Sequence, residues 1–242
     1  MEKITKPSSG YLWLVLTLAG LAAASFCLTQ DFPYPIFGGV LMVLTLITMG
    51  GFFIVDPNKA MVLLLFGAYK GTVKANGFFW VNPFMTKKKI SLRVRNFENK
   101  PLKVNDKIGN PVMIGTIVVW QVEDTFKTSF DVEDYENFVH LQTDAAVRKM
   151  AGLYCYDNFD DNHSEITLRS GVEEVNHSLE KEIAERLLQA GIKVIEARIS
   201  NLAYAAEIAS AMLQRQQATA IVAARQKIVE GAVGMVEMAL AD

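Results

Sequence analysis

Catalytic chemistry in this chain would have to come from three histidines, two cysteines and one acidic stretch. His140, His163 and His177 are scattered over two predicted helices and a polar loop. None sits in an HExxH motif or beside a cysteine at metal-ligand spacing. Cys27 falls in an apolar run and Cys155 stands far from it, which makes neither a disulfide framework nor a zinc site. Asp157, Asp160 and Asp161 lack the spaced oxygen ligands and central glycine of a calcium loop, so they read as a solvated turn. Asn162-His-Ser164 and Asn176-His-Ser178 match the glycosylation sequon, which a cytoplasmic domain would never use. There is no phosphate-binding glycine loop, dinucleotide fingerprint or nucleophile elbow. A hydrolase needs a nucleophile–base pair or a metal cluster, and the sequence offers neither. The chain is expected not to be an enzyme and to carry no catalytic, cofactor or metal site.

The residues that do point to a partner lie between 76 and 89. Asn76-Gly-Phe-Phe-Trp-Val-Asn-Pro-Phe84 places Phe78, Phe79, Trp80 and Phe84 in a glycine- and proline-punctuated loop, followed directly by Lys87, Lys88 and Lys89. Rings at headgroup depth with cations beside lipid phosphates suit a membrane–water interface, so these seven residues are the expected membrane contacts. The alternative is that the rings fill the core of a sheet.

The elements before them favour the membrane. Between Tyr11 and Val55 the only charged side chain is Asp31. Tyr11 to Leu28 and Ile36 to Val55 are apolar runs that would make helices of roughly 27 and 30 Å at about 1.5 Å per residue, near the thickness of a bilayer core. The prolines of Thr29-Gln-Asp-Phe-Pro-Tyr-Pro35 break the helix between them, so two membrane spans are expected. Lys3 and Lys6 precede the first, and Lys59, Lys70, Lys74 and Lys87 to Lys89 follow the second, which puts both ends in the cytoplasm. A cleavable leader ending near Ala22-Ala23-Ala24-Ser25 is the rival, but the apolar run continues through Phe26, Cys27 and Leu28. Lys and Arg total 24 against 26 Asp and Glu, a net charge of −2. Such a balance leaves no nucleic-acid footprint.

The remainder reads as α+β. Strands are predicted over 59–66, 90–95, 102–104 and 112–122, with Asn105 to Asn110 as a hairpin turn. Helical spacing then runs from Asp134 to Met150. A capping-box pattern at Ser170-Gly-Val-Glu173 opens a second helix, closed by Gly191, and Ile192 to Ile199 returns to a strand. From Leu202 onward the chain reads as one long helix with twelve alanines and seven charged residues. Val222, Val229, Val233 and Val236 form one apolar seam, and Ile221 and Ile228 begin a second beside it. Two seams want two neighbours, so Ile221, Val222, Ile228, Val229, Val233 and Val236 are the expected contacts between copies.

Together these pieces resemble the stomatin–prohibitin–flotillin (SPFH, or band 7) family. The likeness is carried by Val55-Asp-Pro-Asn-Lys-Ala-Met-Val62, Phe66-Gly-Ala-Tyr-Lys-Gly71, Gly77-Phe-Phe-Trp-Val-Asn-Pro83 and Val118-Val-Trp-Gln-Val122. Asp131-Val-Glu-Asp-Tyr135, Ala146-Val-Arg148, Tyr154-Cys-Tyr-Asp157 and Leu202 to Met212 with Arg215-Gln-Gln-Ala218 complete it. The apolar runs give a tail and two transmembrane helices (1–55), and the resemblance implies an SPFH-like sheet and helix domain (56–201) followed by an oligomerisation helix (202–242). It implies a membrane scaffold whose protomers pack into large rings or cages that organise a membrane microdomain. The implied partners are the lipid bilayer, further copies of the chain, and a membrane protease or NfeD-type membrane protein. The implied location is a bacterial cytoplasmic membrane with the soluble part facing the cytoplasm. The alternative is a regulatory subunit of a membrane protease or channel, working as a small oligomer. Two spans rather than one, and no long polar coiled coil after Ala239, depart from the commoner pattern.

Overall fold

The computed structural model describes residues 2–31, 33–157 and 166–241. Asp160, Asp161, His163 and the sequon at Asn162 lie outside them. The chain divides into two compact units, each built from separated segments: residues 1–95, 120–138 and 184–195, and residues 96–119, 139–183 and 196–242.

In the first unit two apolar helices, α1 (Gly10–Leu28) and α2 (Tyr34–Met49), pack on each other. Pro35 lies at the start of α2, where a missing N–H goes unnoticed. The second apolar run does not continue as a helix to Val55, as the sequence predicts. It stops at Gly50-Gly51, and Phe52–Val55 becomes strand β2. Two glycines weaken a helix at that point by about 1 kcal/mol each, and aromatic and β-branched residues then favour the pleated backbone.

The strands β3 (Lys59–Leu65), β4 (Ala68–Val73) and β6 (Met85–Ser91) form one antiparallel sheet in the order β4-β3-β6. A second sheet places β5 (Gly77–Trp80) between β2 and a two-residue strand, β1 (Ser8–Ser9). Phe78, Phe79 and Trp80 therefore lie on a strand, not in the loop that the glycine and proline spacing predicts. Phe53, Val55, Met61, Leu63, Val73 and Val81 make the buried core between the sheets, with Phe79 and Met85 against it. The alternation over 90–95 is not one strand either. β6 ends at Ser91, one last bond from the Leu92 N–H to the Asn58 carbonyl (3.0 Å) closes its pairing with β3, and after a break at 92–94 a new strand, β7 (Arg95–Glu98), opens. A short helix that the sequence reading missed, α3 (Thr125–Phe130), is capped by Asp124, whose carboxylate accepts from the backbone of Phe126 and Lys127.

The second unit holds most of β7 (Arg95–Glu98) and β9 (Pro111–Val122), and all of β8 (Leu102–Asn105). It also holds most of α4 (Tyr135–Ala151), α5 (Val172–Leu187) and β10 (Ile192–Tyr204), and the whole of α6 (Ala206–Ala241). The sheet order is β10-β9-β7, with β8 also on β9. Helix α5 begins at Val172; the Ser170 hydroxyl lies 2.8 Å from that of Thr167, so the predicted box is displaced into the preceding turn. Gly191 closes this helical stretch in the left-handed conformation, φ +70°. The long helix starts at Ala206 rather than Leu202, because β10 carries on through Tyr204.

The predicted hairpin turn between β8 and β9 is present, and Asp106 organises it. Its buried carboxylate accepts from Ile108 N (3.0 Å), Asn110 N (2.7 Å), Asn110 Nδ2 (3.0 Å) and Tyr156 N (3.2 Å). Burial alone would raise its pKa, but these donors outweigh it and hold it below the ordinary carboxylate value of 3.8. A lowered native pKa contributes stability that is complete above 3.8 and is lost as pH falls through the native value. Asp106→Ala is expected to cost about 3 kcal/mol at neutral pH, measured by urea unfolding, with the difference from wild type shrinking under acid.

Candidate functional site: the junction of helices and sheet

Close packing of α1 on α2 depends on small residues. A Cβ at Gly38 would stand 3.0 Å from the Ala24 carbonyl oxygen, and one at Gly20 would stand 2.6 Å from Thr45 Cγ2. Thr17 and Thr45 are buried in the seam and donate to carbonyls of their own helices, at 2.9 Å (Leu14) and 2.8 Å (Met42). The outward side chains, among them Val15, Leu18, Phe37 and Val43, are each more than half exposed. By length and composition α1 suffices to cross a membrane, whereas α2, at 16 residues, is shorter than a usual span.

At one end of this pair the aromatic residues converge. Trp13 stacks on Trp80 with ring centroids 3.6 Å apart, Tyr11 meets Phe78 edge-on at 5.5 Å, and Phe52 stacks on Phe78 at 5.3 Å. The Trp80 indole N–H donates to the Thr48 carbonyl (2.8 Å), which also accepts from the Gly51 N–H (3.1 Å), so the last turn of α2 is tied to the strand. Lys87 Nζ donates to Gly50 O (2.7 Å) and Phe52 O (3.3 Å), and burial pulls its pKa below the ordinary lysine value.

The predicted membrane residues thus separate into different roles. Phe78 and Trp80 clamp the first turn of α1, while Phe79 turns to the core. Phe84 is exposed and stacks at 6.3 Å on Phe66, an exposed ring that sequence reasoning passed over. Its signal is there in hindsight: an aromatic directly before Gly67 at a hairpin tip. Successive strand residues face opposite ways, so the three lysines are not one patch. Lys89 and Lys59 both lie 2.8 Å from Asp56 and hold its pKa down to about 2, while Lys88 reaches Ser129 O at 3.4 Å.

The N-terminal tail belongs to the same unit. Thr5 N donates to Thr72 O (3.0 Å) and Thr72 N to Lys3 O (2.8 Å). Glu2 pairs with Lys74 (2.7 Å) and accepts from the Thr125 hydroxyl (2.6 Å). Strand β1, just before α1, and strand β2, just after α2, flank the same strand β5. The helical pair therefore leaves the sheet and returns to it.

The expected oligomerisation residues all lie on α6. Ile221, Val222, Ile228, Val229, Val233 and Val236 are each at least half exposed, and every residue from 217 to 233 is exposed. Among the described residues no group of His, Cys, Asp and Glu could hold a metal ion.

A mixed sheet-and-helix body with an apolar helix before it and a long helix after it is the class of architecture these elements define. Residues 53–232 match the SPFH domain / Band 7 family, and the chain belongs to that family. Its members are membrane-associated and typically scaffolds rather than enzymes. Comparison with curated proteins finds no match.

Proposed function

We propose that this protein is a membrane-anchored scaffold that assembles through α6 into a large homo-oligomeric ring or cage. The assembly organises a patch of bilayer and the proteins within it. The observation that carries this reading is α6 itself: a 36-residue helix, about 54 Å long, with apolar seams in the open. A helix that is apolar and unaccompanied in water is an interface waiting for neighbours. Residues 1–55 supply the anchor, 56–201 the body and 202–242 the contact between copies.

In this reading α1 and α2 form a two-helix membrane hairpin. The tail and β2 flank one strand, which keeps residues 2–9 and the body on the same side of the bilayer, and Lys3 and Lys6 favour the cytoplasm for that side. A bacterial cytoplasmic membrane suits this arrangement, with a membrane protease or an NfeD-type protein as the enclosed partner. The test is the mass of the detergent-extracted particle by mass photometry. A single species of many protomers is expected. A monomer or dimer overturns the scaffold and favours a small regulatory subunit of a protease or channel.

A further inference from the structure

Taken whole, α1 is long enough to cross a membrane, but contacts at both ends of the helical pair leave each helix a shorter free length. At the near end, Gly10 is buried against Phe78, where a Cβ would meet the ring at 2.5 Å, and Trp13 lies flat on Trp80 at 3.6 Å. Trp80 sits in a strand paired on both sides, and its indole N–H is bonded to Thr48 O. The sheet β1-β5-β2 therefore stands level with the first turn of α1 and the last turn of α2. An open sheet cannot lie in hydrocarbon, because its edge N–H and C=O groups would go unpaired. The Lys87 cation on Gly50 O and Phe52 O marks the same level. At the far end Thr29, Gln30 and Asp31 are exposed polar residues, and the exposed Tyr34 ring opens α2 in the manner of an interfacial aromatic.

Between these markers α1 offers Leu14–Leu28, 15 residues (19 less the four of Gly10–Trp13). Helix α2 offers Pro35–Ile47, 13 residues (16 less Tyr34, Thr48 and Met49). At 1.5 Å per residue these lengths are about 22 and 20 Å, against about 30 Å for an ordinary hydrocarbon core. A span that is too long can tilt; one that is too short cannot, since tilt shortens its reach further. Snorkelling is closed as well, because residues 10–49 contain no lysine or arginine. What remains is for the lipid to adjust.

We propose that this hairpin is fitted to a bilayer with a hydrocarbon core well below the usual thickness, and that in thicker bilayers it draws the leaflets together around it. The inference rests on the membrane reading above. A scaffold of many such hairpins would hold a thinned patch, and would sort toward it those membrane proteins whose own spans are short.

The test reconstitutes the full chain into phosphatidylcholine vesicles with monounsaturated chains of fourteen, sixteen, eighteen or twenty carbons. The readout is the fraction that co-floats after an alkaline wash. Retention is expected to peak at fourteen or sixteen carbons and to fall about tenfold by twenty. Inserting four leucines after Leu18 and four after Val43, close to one turn in each helix, should move the peak to longer chains. A flat profile, a wild-type peak at eighteen or twenty carbons, or a lengthened variant with an unmoved peak overturns the thickness match while leaving the anchor intact. Failure to co-float with any vesicle overturns the anchor, and this inference with it.

Discussion

Ending the chain at Ala218 is expected to reduce the detergent-extracted particle from a large assembly to monomers or very small oligomers, while the shortened protein still fractionates with membranes. The removed segment carries Ile221, Val222, Ile228, Val229, Val233 and Val236, all at least half exposed in the single chain. Burying side chains of this size yields about 1.5 kcal/mol each, so one copy's six contribute roughly 9 kcal/mol, shared between its two neighbours. That is of the order of the cost of holding two bodies together, and a ring multiplies it around the circle. Losing the segment therefore changes association by orders of magnitude rather than by a shade. Val229→Lys with Val233→Lys tests the same idea without shortening the helix, since the two lie one turn apart on one seam. Helical content should hold, because an alanine-rich helix tolerates lysine well. An unchanged sedimentation profile for either variant would sink the role given to α6.

Much of the body was legible because hydrophobic period tracks backbone period. Alternation over Val112 to Val122 and helical spacing over Asp134 to Met150 reappear as β9 and α4 within a residue or two. The legible parts share one property: a single period sustained over ten residues or more. Where local signals competed, reading failed. Gly77-Phe-Phe-Trp80 carries the glycine of a loop and the aromatics of a strand. The strand won, because β1 and β2 offer it partners on both sides, and no local pattern announces a partner that lies 70 residues away. The same long reach hid the tail. Nothing in Glu2-Lys-Ile-Thr5 says that it will bond to Thr72, Lys74 and Thr125. The lysine run shows a third kind of loss: three consecutive cations look like one patch until the pleat sends Lys87 and Lys88 to opposite faces. The length of α6 was readable from its alanine-rich composition, and only its first turn was misplaced, at Leu202 instead of Ala206.

Gly51→Ala is expected to cost about 4 kcal/mol, a loss near 10 °C in Tm for a chain of this size. A Cβ at this position would stand 2.3 Å from the Val81 carbonyl oxygen and 2.4 Å from the Trp80 indole nitrogen. Backbone cannot yield as the end of a flexible side chain can, so β2 must move away from β5. The movement strains the Val81 N–H bond to Gly51 O (3.1 Å), the pairing from Phe52↔Trp80 to Val55↔Gly77, and the indole bond to Thr48. It also disturbs Phe53 and Val55, two of the buried core residues. Gly39→Ala is the control: a Cβ there meets nothing within 4 Å, and alanine in a helix should be neutral or slightly stabilising. Tryptophan fluorescence should report the same break, through a red shift and greater quencher access as Trp80 slides from Trp13. A Tm within about 2 °C of wild type would show that the strands never approach so closely. The substitution also reaches the length of the anchor, because from Val40 to Val55 glycine interrupts the apolar run only at Gly50 and Gly51. Removing one glycine while evicting β2 from its sheet favours rewinding Phe52–Val55 onto α2, which would add about 9 Å to that helix. Gly51 thus holds the second apolar run at its short length, and its loss should shift vesicle retention toward thicker bilayers even as the body loses stability.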